Sequence, residues 1–324
     1  MTRAYITIDT EYSSGICTGR SRAERAENYA RCIACLTPEG PAGITHKLEL
    51  LKEYGQRAVF FVDPMPALIW GIGAIEDVVA PIIEAGQDVQ LHCHTEWLAI
   101  AGADNPLASK RTGQNIADFP LDEQFELLAF ARDVLIAAGA PPPVAFRAGN
   151  YGANDDTLRV LAELGLTHET SHTPALPDAC RITLGSDVRD PVEHCGMIEV
   201  PVGTIGTLGG GQRHAQITAL TLAEMTAALR HARDNGRDTF VMVSHSFELI
   251  NRRRLAVNHV VRRRFTGLMR EIAAMRGVTT ANFRDDPPRL GQANAPSEPV
   301  PATALRTGMR LAEQFVSNAL YGAR

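Results

Sequence analysis

The chain has 324 residues, of which 45% are hydrophobic and 21% are charged. These fractions are ordinary for a globular protein, and the length allows one large domain or two smaller ones. A formal net charge of -5 argues against a nucleic-acid partner, and because no apolar run approaches membrane-spanning length we expect no membrane insertion.

The spacing of the cysteines and the first residues of the chain indicate the cellular compartment in which the protein works. Six cysteines occur without the spacing of a small disulfide-bonded scaffold, which fits a reducing compartment. The first residues lead directly into a predicted strand, without the charged and apolar regions of a secretory signal. We therefore expect a cytoplasmic protein. We interpret Cys32 and Cys35, a single C-x-x-C pair, as two ordinary thiols.

Strands and helices are predicted to alternate along most of the chain. A first buried strand at 5–8 precedes a polar loop from Ser13 to about Gly43. Later strands are predicted at 58–62, from Val89 onward, and at 144–146, 197–200 and 239–243. Helices are predicted at 45–54, 75–84, 121–138, 155–164, 222–235 and 263–275. This alternation, without hairpin turn signals, indicates a parallel α/β sheet or barrel.

The last part of the chain differs in composition. Residues 289–302 are rich in Pro, Ala, Ser and Gln and are interpreted as a linker between a catalytic domain at 1–288 and a C-terminal segment at 303–324. Apolar spacing in that segment predicts an amphipathic helix that packs on the body or on a partner subunit, which would allow a homodimer. The apolar positions are Leu305, Met309, Leu311, Phe315 and Leu320.

Arginines, histidines and glycines outside the predicted site are assigned to the protein surface and to a loop. The arginines at 252–254 and 262–264 are read as a solvated face that could also meet an anionic substrate. Four histidines of the middle region have no clear ligand spacing and are expected to face solvent; they are His168, His172, His194 and His214. The glycines at 209–211 are expected to form a flexible loop near the mouth of the site.

The strand that begins at Val89 carries the first chemical signal. Side chains two apart on a strand point the same way, so His92 and His94 would project from one face. Two imidazoles beside the carboxylate of Glu96 suit a borderline metal such as zinc. Without such a partner, a titratable cluster at the end of a buried strand is costly to desolvate.

Other candidate residues occupy equivalent positions on other strands. Asp9, His92, Arg147 and His245 all fall at or just after the ends of predicted strands. Chemistry in parallel α/β folds collects at the carboxyl ends of the strands. The agreement among these four positions predicts one active site.

Four motifs, taken together, resemble those of the polysaccharide deacetylase family, the NodB-homology group also known as carbohydrate esterase family 4. They are ITIDTE at 6–11, GQDVQLHCHTEW at 86–97, FRAGNYG at 146–152 and VSHSFEL at 243–249. The resemblance covers roughly residues 4–285. It implies a distorted (β/α) barrel that removes N-acetyl or O-acetyl groups with one divalent metal.

The resemblance implies a role for each matching position. Asp9 corresponds to the catalytic base, and the metal-binding aspartate that follows it in the family falls on Thr10, so that Glu11 is the natural substitute. His92 corresponds to the first metal-binding histidine. The second falls on Glu96, which leaves His94 or Glu96 as the third ligand, with the imidazole of His94 favoured. Zinc is the expected metal, and cobalt or nickel could replace it.

The remaining motifs supply the other groups. Arg147 corresponds to the arginine that orients the base, and His245 to the general acid. The motif after Arg147 is one residue longer than in the family, so the backbone N–H that stabilises the oxyanion would come from Asn150 or Tyr151. Trp97 is a candidate platform for the sugar.

The expected function is metal-dependent hydrolysis of an acyl group from an N-acetylated sugar, a glycan precursor or a related amide, a reaction at carbon–nitrogen bonds other than peptide bonds. Two alternatives are kept. One is a metal-dependent amidohydrolase of small amides or cyclic ureides. The other is a degenerate sugar-binding module, which the departures at Thr10 and Glu96 would fit.

Overall fold

The computed structural model describes residues 1–291 and 298–321. The strands are β1 (Thr2–Thr10), β2 (Leu36–Thr37), β3 (Gly40–Pro41), β4 (Val59–Val62), β5 (Asp88–Cys93), β6 (Ala145–Ala148), β7 (His168–Glu169), β8 (Val192–His194), β9 (Met197–Glu199), β10 (Thr204–Gly206), β11 (Gln212–His214), β12 (Thr239–His245), β13 (Ile250–Asn251), β14 (Ala256–Val257) and β15 (Val278–Thr280). The α-helices are α1 (Arg22–Cys32), α2 (Ile44–Glu53), α3 (Ala67–Trp70), α4 (Gly73–Glu84), α5 (Trp97–Ala101), α6 (Leu121–Ala137), α7 (Asp155–Glu163), α8 (Leu222–Asp234), α9 (His259–Ala274) and α10 (Ala304–Tyr321).

The main sheet is curled and almost entirely parallel. Its strands lie in the order β12-β1-β4-β5-β6-β7-β9-β8, and β15 pairs with the start of β1. Pairing is parallel from β12 through to β9, and only the last pair, β9 with β8, is antiparallel. Helices cover this sheet as crossover connections require. The arrangement confirms the predicted α/β fold, a distorted (β/α) barrel.

Strand β1 lies inside the sheet, and all nine of its residues are buried. Its neighbours bring the motifs together, since Asp9 is paired in register with His245 of β12. Farther along the sheet, beyond β4, His92 of β5 is paired in register with Arg147 of β6. The carboxyl ends of these four strands therefore meet at one edge.

The predicted polar loop from Ser13 to about Gly43 is wrong in part, because it contains the 11-residue helix α1. The helix begins with a capping box in which Ser21 and Glu24 exchange side-chain and backbone hydrogen bonds. Its apolar positions are few, so the helical period was not visible. Three short hairpins, formed by β2–β3, β10–β11 and β13–β14, were also not predicted.

Helix α10 confirms the predicted C-terminal helix, whereas six residues of the predicted linker, 292–297, lie outside the described residues. The helix contacts the body through its polar side. Arg310 pairs with Glu224, and Glu313 pairs with Arg264 at 2.7 Å. The apolar positions of the helix are exposed and do not pack on the body, and their packing on a partner subunit stays a prediction; they are Leu305, Met309, Leu311, Phe315 and Leu320. Within the described residues, no helix is both long and apolar enough to cross a membrane.

Candidate active site

Asp9 and Arg147 form a buried ion pair at the end of β1. Arg147 Nη1 donates to Asp9 Oδ1 at 2.8 Å and to the hydroxyl of Thr7 at 2.7 Å. The guanidinium also lies over the ring of Phe61, 4.6 Å from its centroid. Neither partner is more than 4% exposed. These contacts fix the orientation of the Asp9 carboxylate and compensate its charge in a buried position.

Three ligand atoms converge beside this pair. Glu11 Oε2 lies 2.5 Å from His94 Nε2 and 3.3 Å from His92 Nε2. Glu11, His92 and His94 thus form a group in which every pair of ligand atoms lies within 4.8 Å. Two imidazoles and one carboxylate at this separation suit a divalent metal of the zinc type.

The outer nitrogen of each imidazole has its own acceptor. His92 Nδ1 donates to the carbonyl oxygen of Arg147 at 2.7 Å, and His94 Nδ1 lies 3.0 Å from Glu96 Oε2. Hydrogen bonds of this kind fix the ring orientation and leave Nε2 free to accept a metal. Glu96 therefore lies behind His94. Of the two candidates for the third ligand, the geometry places His94 in the ligand group and Glu96 outside it.

Charges within the ligand group shift the pKa values of Glu11 and His94. Burial alone would raise the pKa of Glu11, but contacts with His94 and His92 lower this pKa well below its usual range. Burial likewise opposes protonation of His94, and the carboxylates of Glu11 and Glu96 raise the pKa of His94 well above its usual range. These charges hold the ligand group together. A bound cation would take the place of the His94 proton as the partner of Glu11.

Asp63, which follows β4, was not predicted as part of the site. Its Oδ1 accepts the backbone N–H of His94 at 3.3 Å, and its Oδ2 accepts the indole N–H of Trp97 at 3.1 Å. Burial raises the pKa of Asp63 to about 6. Trp97 is fully buried and packs edge-on against Trp70, so the expectation that its ring stacks on a sugar is wrong. Trp97 and Asp63 instead anchor the turn that carries His94.

The longer motif after Arg147 brings backbone close to the ligand group. A Cβ on Gly149 would lie 2.8 Å from both the Cys93 carbonyl oxygen and His94 Nδ1. Asn150 and Tyr151 then adopt positive φ angles of 56° and 60°. Asn150 Nδ2 donates to Glu96 Oε1 at 3.0 Å. Asn150 therefore supports Glu96, and through it His94.

Tyr151 is the other residue of this motif expected to meet substrate. Burial raises its pKa, with Arg147, Asp9 and Glu248 as the charges that act on it. Its hydroxyl is buried and has no hydrogen-bond partner in the part of the chain that the structure describes. A buried hydroxyl without a partner is costly. One that lies close to the charges of the site is suited to contact a bound substrate.

His245 completes the arrangement at the end of β12. Its Nε2 lies 3.7 Å from Asp9 Oδ2, and its Nδ1 lies 3.3 Å from Glu248 Oε1. Burial lowers the pKa of His245, but the charge of Glu248, with that of Asp9, raises it above its ordinary value. Buried Lys47 donates to the His245 carbonyl oxygen at 2.6 Å and fixes the strand end. Glu248 was not predicted as part of the site, although its spacing three residues after His245 is a visible signal.

None of the four middle-region histidines belongs to the ligand group, but His214 contacts Gln216, whose Nε2 lies 3.4 Å from His245 Nδ1. His168 and His172 are buried, each 6% exposed, so the expectation that they face solvent is wrong. His194 and His214 are half-buried. His194 belongs to a second group of ligand-type side chains with Asp155 and Cys195. The carboxylate of Asp155 already accepts hydrogen bonds from the backbone N–H and hydroxyl of Thr183.

Neither protein-family models nor curated proteins gave a match to the chain. Among solved structures, it is similar to a protein from Mycobacterium smegmatis provisionally named a polysaccharide deacetylase, with 17% identity over 91% of this chain and 95% of that one and a TM-score of 0.56. A family 4 carbohydrate esterase from Streptomyces lividans in complex with acetate is 12% identical over 90% and 98% of the two chains, with a TM-score of 0.46. A 4-alpha-glucanotransferase from Thermococcus litoralis is 10% identical over 94% of this chain and 42% of that one, with a TM-score of 0.50.

These identities show the fold and do not by themselves assign an activity. The first likeness spans nearly the whole of both chains and agrees with the order of the four motifs. The chain has the fold of the polysaccharide deacetylases.

Proposed function

We propose that this protein is a metal-dependent deacetylase that removes an acetyl or related acyl group from an N-acetylated sugar, a glycan precursor or a similar amide. One observation carries the proposal. The buried Asp9–Arg147 pair lies beside a three-ligand group and against His245, so that a base, a metal site and an acid share one strand edge. Amide hydrolysis needs these three functions together.

The donor set fits the implied metal. Glu11, His92 and His94 would hold it through one carboxylate oxygen and two Nε2 atoms, and the Arg147 carbonyl and Glu96 would orient the two rings. When bound, a divalent metal polarises the acyl carbonyl and lowers the pKa of water in its vicinity. Asp63 accepts the backbone N–H of His94 and so helps to fix the position of this donor.

Asp9 is proposed as the general base. Its Oδ1 is committed to Arg147, and its Oδ2 faces His245, which leaves one oxygen able to take a proton from the attacking water. Arg147 is a positioning residue, because it reaches Asp9 and the hydroxyl of Thr7 from a fully buried position. An oriented carboxylate near its reacting proton contributes about 10²–10⁴-fold to rate.

His245 is proposed as the general acid. The raised pKa of its imidazole favours the protonated form near neutral pH. In that form it can give the Nε2 proton to the departing amine after water has added to the carbonyl. Tyr151, whose hydroxyl is buried near the same charges, is placed to donate to the oxyanion or to a substrate hydroxyl.

The proposal is tested by measuring acetate release from a panel of N-acetyl and O-acetyl sugars with zinc or cobalt present. Release from at least one N-acetyl sugar is expected, with a loss of at least about 10²-fold in the Asp9→Asn protein. Asp285→Asn, a change at an exposed aspartate far along the chain, is the matched control and should keep full activity. Small amides and cyclic ureides in the same panel test the amidohydrolase alternative. Sugar binding without release from any compound would contradict the proposal.

A further inference from the structure

A cavity of about 400 Å³ opens on the His245 side of the site. Its lining includes Arg31, Cys32, Phe247, Glu248, Arg252 and Arg253. This volume lies in the range of small-molecule sites. None of the proposed catalytic or metal-binding residues lines it, so the cavity could hold a part of the substrate remote from the reacting bond.

One ring contact connects the cavity to the site. The ring of Phe247 lies 5.3 Å from the ring of His245, centroid to centroid. The wall that Phe247 forms therefore lies against the proposed general acid.

Three of the residues that line the cavity are arginines, and one is acidic. Arg252 stacks on Phe247, with its Cζ 4.1 Å from the ring centroid, which holds the planar guanidinium in a defined position. Arg253 is exposed and Arg31, half-buried, lies 3.5 Å from Glu27. The acidic lining residue, Glu248, is turned toward His245, since its Oε2 accepts the His245 backbone N–H at 3.0 Å. The cavity thus presents positive charge on a chain whose net charge is -5.

We propose that the acylated substrate carries an anionic group, a phosphate or a carboxylate, that binds in this cavity to Arg31, Arg252 and Arg253. A planar guanidinium group can donate two parallel hydrogen bonds to the oxygens of either anion. The inference rests on the proposed function, because it concerns the remote end of the same substrate. It narrows the substrate from acylated sugars in general to sugar phosphates and acidic sugars.

The test is a binding measurement that does not depend on turnover. Isothermal titration calorimetry measures the affinity of the protein for N-acetylglucosamine 6-phosphate, for N-acetylmuramic acid and for neutral N-acetylglucosamine. An anionic sugar is expected to bind about 10-fold more tightly or better than the neutral one, the gain of one charge-assisted hydrogen bond. The advantage should shrink as salt is added. Whether the phosphate or the carboxylate is preferred identifies the anion.

Substitutions assign the effect to the cavity. The double variant R252Q/R253Q should lose the anion advantage, whereas Arg254→Gln should keep it, because Arg254 does not line the cavity and donates to the Leu320 carbonyl oxygen. Acetate release is measured on the same sugars. Equal binding of the three sugars, or an anion advantage that persists in the double variant, overturns the inference. If an anionic sugar bound more tightly but no sugar released acetate, anion binding in the cavity would be supported and the proposed deacetylase activity would be contradicted.

Discussion

His245 and Glu248 are joined twice, since one carboxylate faces Nδ1 of the ring at 3.3 Å and accepts the backbone N–H of the same histidine at 3.0 Å. Glu248 is only 3% exposed, so solvent screens the interaction between its charge and the imidazole only weakly. Burial alone would lower the pKa of His245, and Glu248 is the main cause of its net rise.

Replacement of Glu248 by Gln should therefore lower the pKa of His245. A general acid must be protonated, so activity falls as pH rises through that pKa. The basic limb of kcat/KM should move to lower pH by about one unit in the variant, as expected when a nearby charge is removed. The pH profile of acetate release measures this shift. Glu271→Gln, at a more exposed glutamate paired with Arg230, should leave the limb in place. An unmoved limb in Glu248→Gln would contradict the assignment of His245.

Loss of the Arg147 charge should destabilise the protein strongly. Arg147→Met leaves Asp9 buried without its cation, which costs about 3–5 kcal/mol in the free energy of unfolding. The double variant D9N/R147M should recover much of this stability, because neither charge remains. It should stay inactive, because the base is lost. Urea unfolding and acetate release on the three proteins measure these effects, and an active double variant would contradict the role of Asp9.

The two candidates for the third metal ligand can be separated. His94→Ala removes a ligand atom, whereas Glu96→Gln removes the partner of the outer ring nitrogen. Zinc affinity, measured by competition with a chelator, should fall by about 10–100-fold in Glu96→Gln and much further in His94→Ala. If Glu96→Gln were as damaging as His94→Ala, Glu96 would have to be a ligand.

A substitution at Gly149 tests whether the backbone at this residue lies as close to His94 as the structure shows. In Gly149→Ala the new methyl group would meet the Cys93 carbonyl oxygen and His94 Nδ1, so His94 must shift. Zinc affinity and activity should both decrease. Gly308→Ala, where a Cβ meets nothing within 4 Å, is the control and should be stabilised by about 0.5–1 kcal/mol, since alanine favours a helix interior. Normal zinc affinity in Gly149→Ala would contradict the proposed geometry.

Much of the fold followed from local patterns in the sequence. Buried strands alternate with amphipathic helices, and strand ends of a parallel sheet meet at one edge, so Asp9, His92, Arg147 and His245 could be placed together before any coordinates. The departures from the family pattern at Thr10 and Glu96 could also be interpreted, because Glu11 and His94 offer ligand atoms in their place. Their roles in binding and catalysis remain predictions.

The parts that were missed depend on contacts between distant segments. Asp63 lies 31 residues from His94, and the sequence gives no sign that its carboxylate holds the turn. Trp97 was a plausible sugar platform until its indole was found buried on Trp70. Helix α10 was correctly predicted, but its orientation depends on Glu224 and Arg264 of the body, which pair with its polar side.

The most direct test of the metal-dependent site is acetate release before and after the metal is removed. The protein is treated with chelator, assayed, and assayed again after one equivalent of zinc or cobalt is added. We predict that chelator abolishes activity and added metal restores it, both in the wild type and in His231→Ala, a change at a half-buried histidine of α8. His92→Ala should be inactive throughout and bind less metal. Full activity in chelator, or in His92→Ala, would contradict the account.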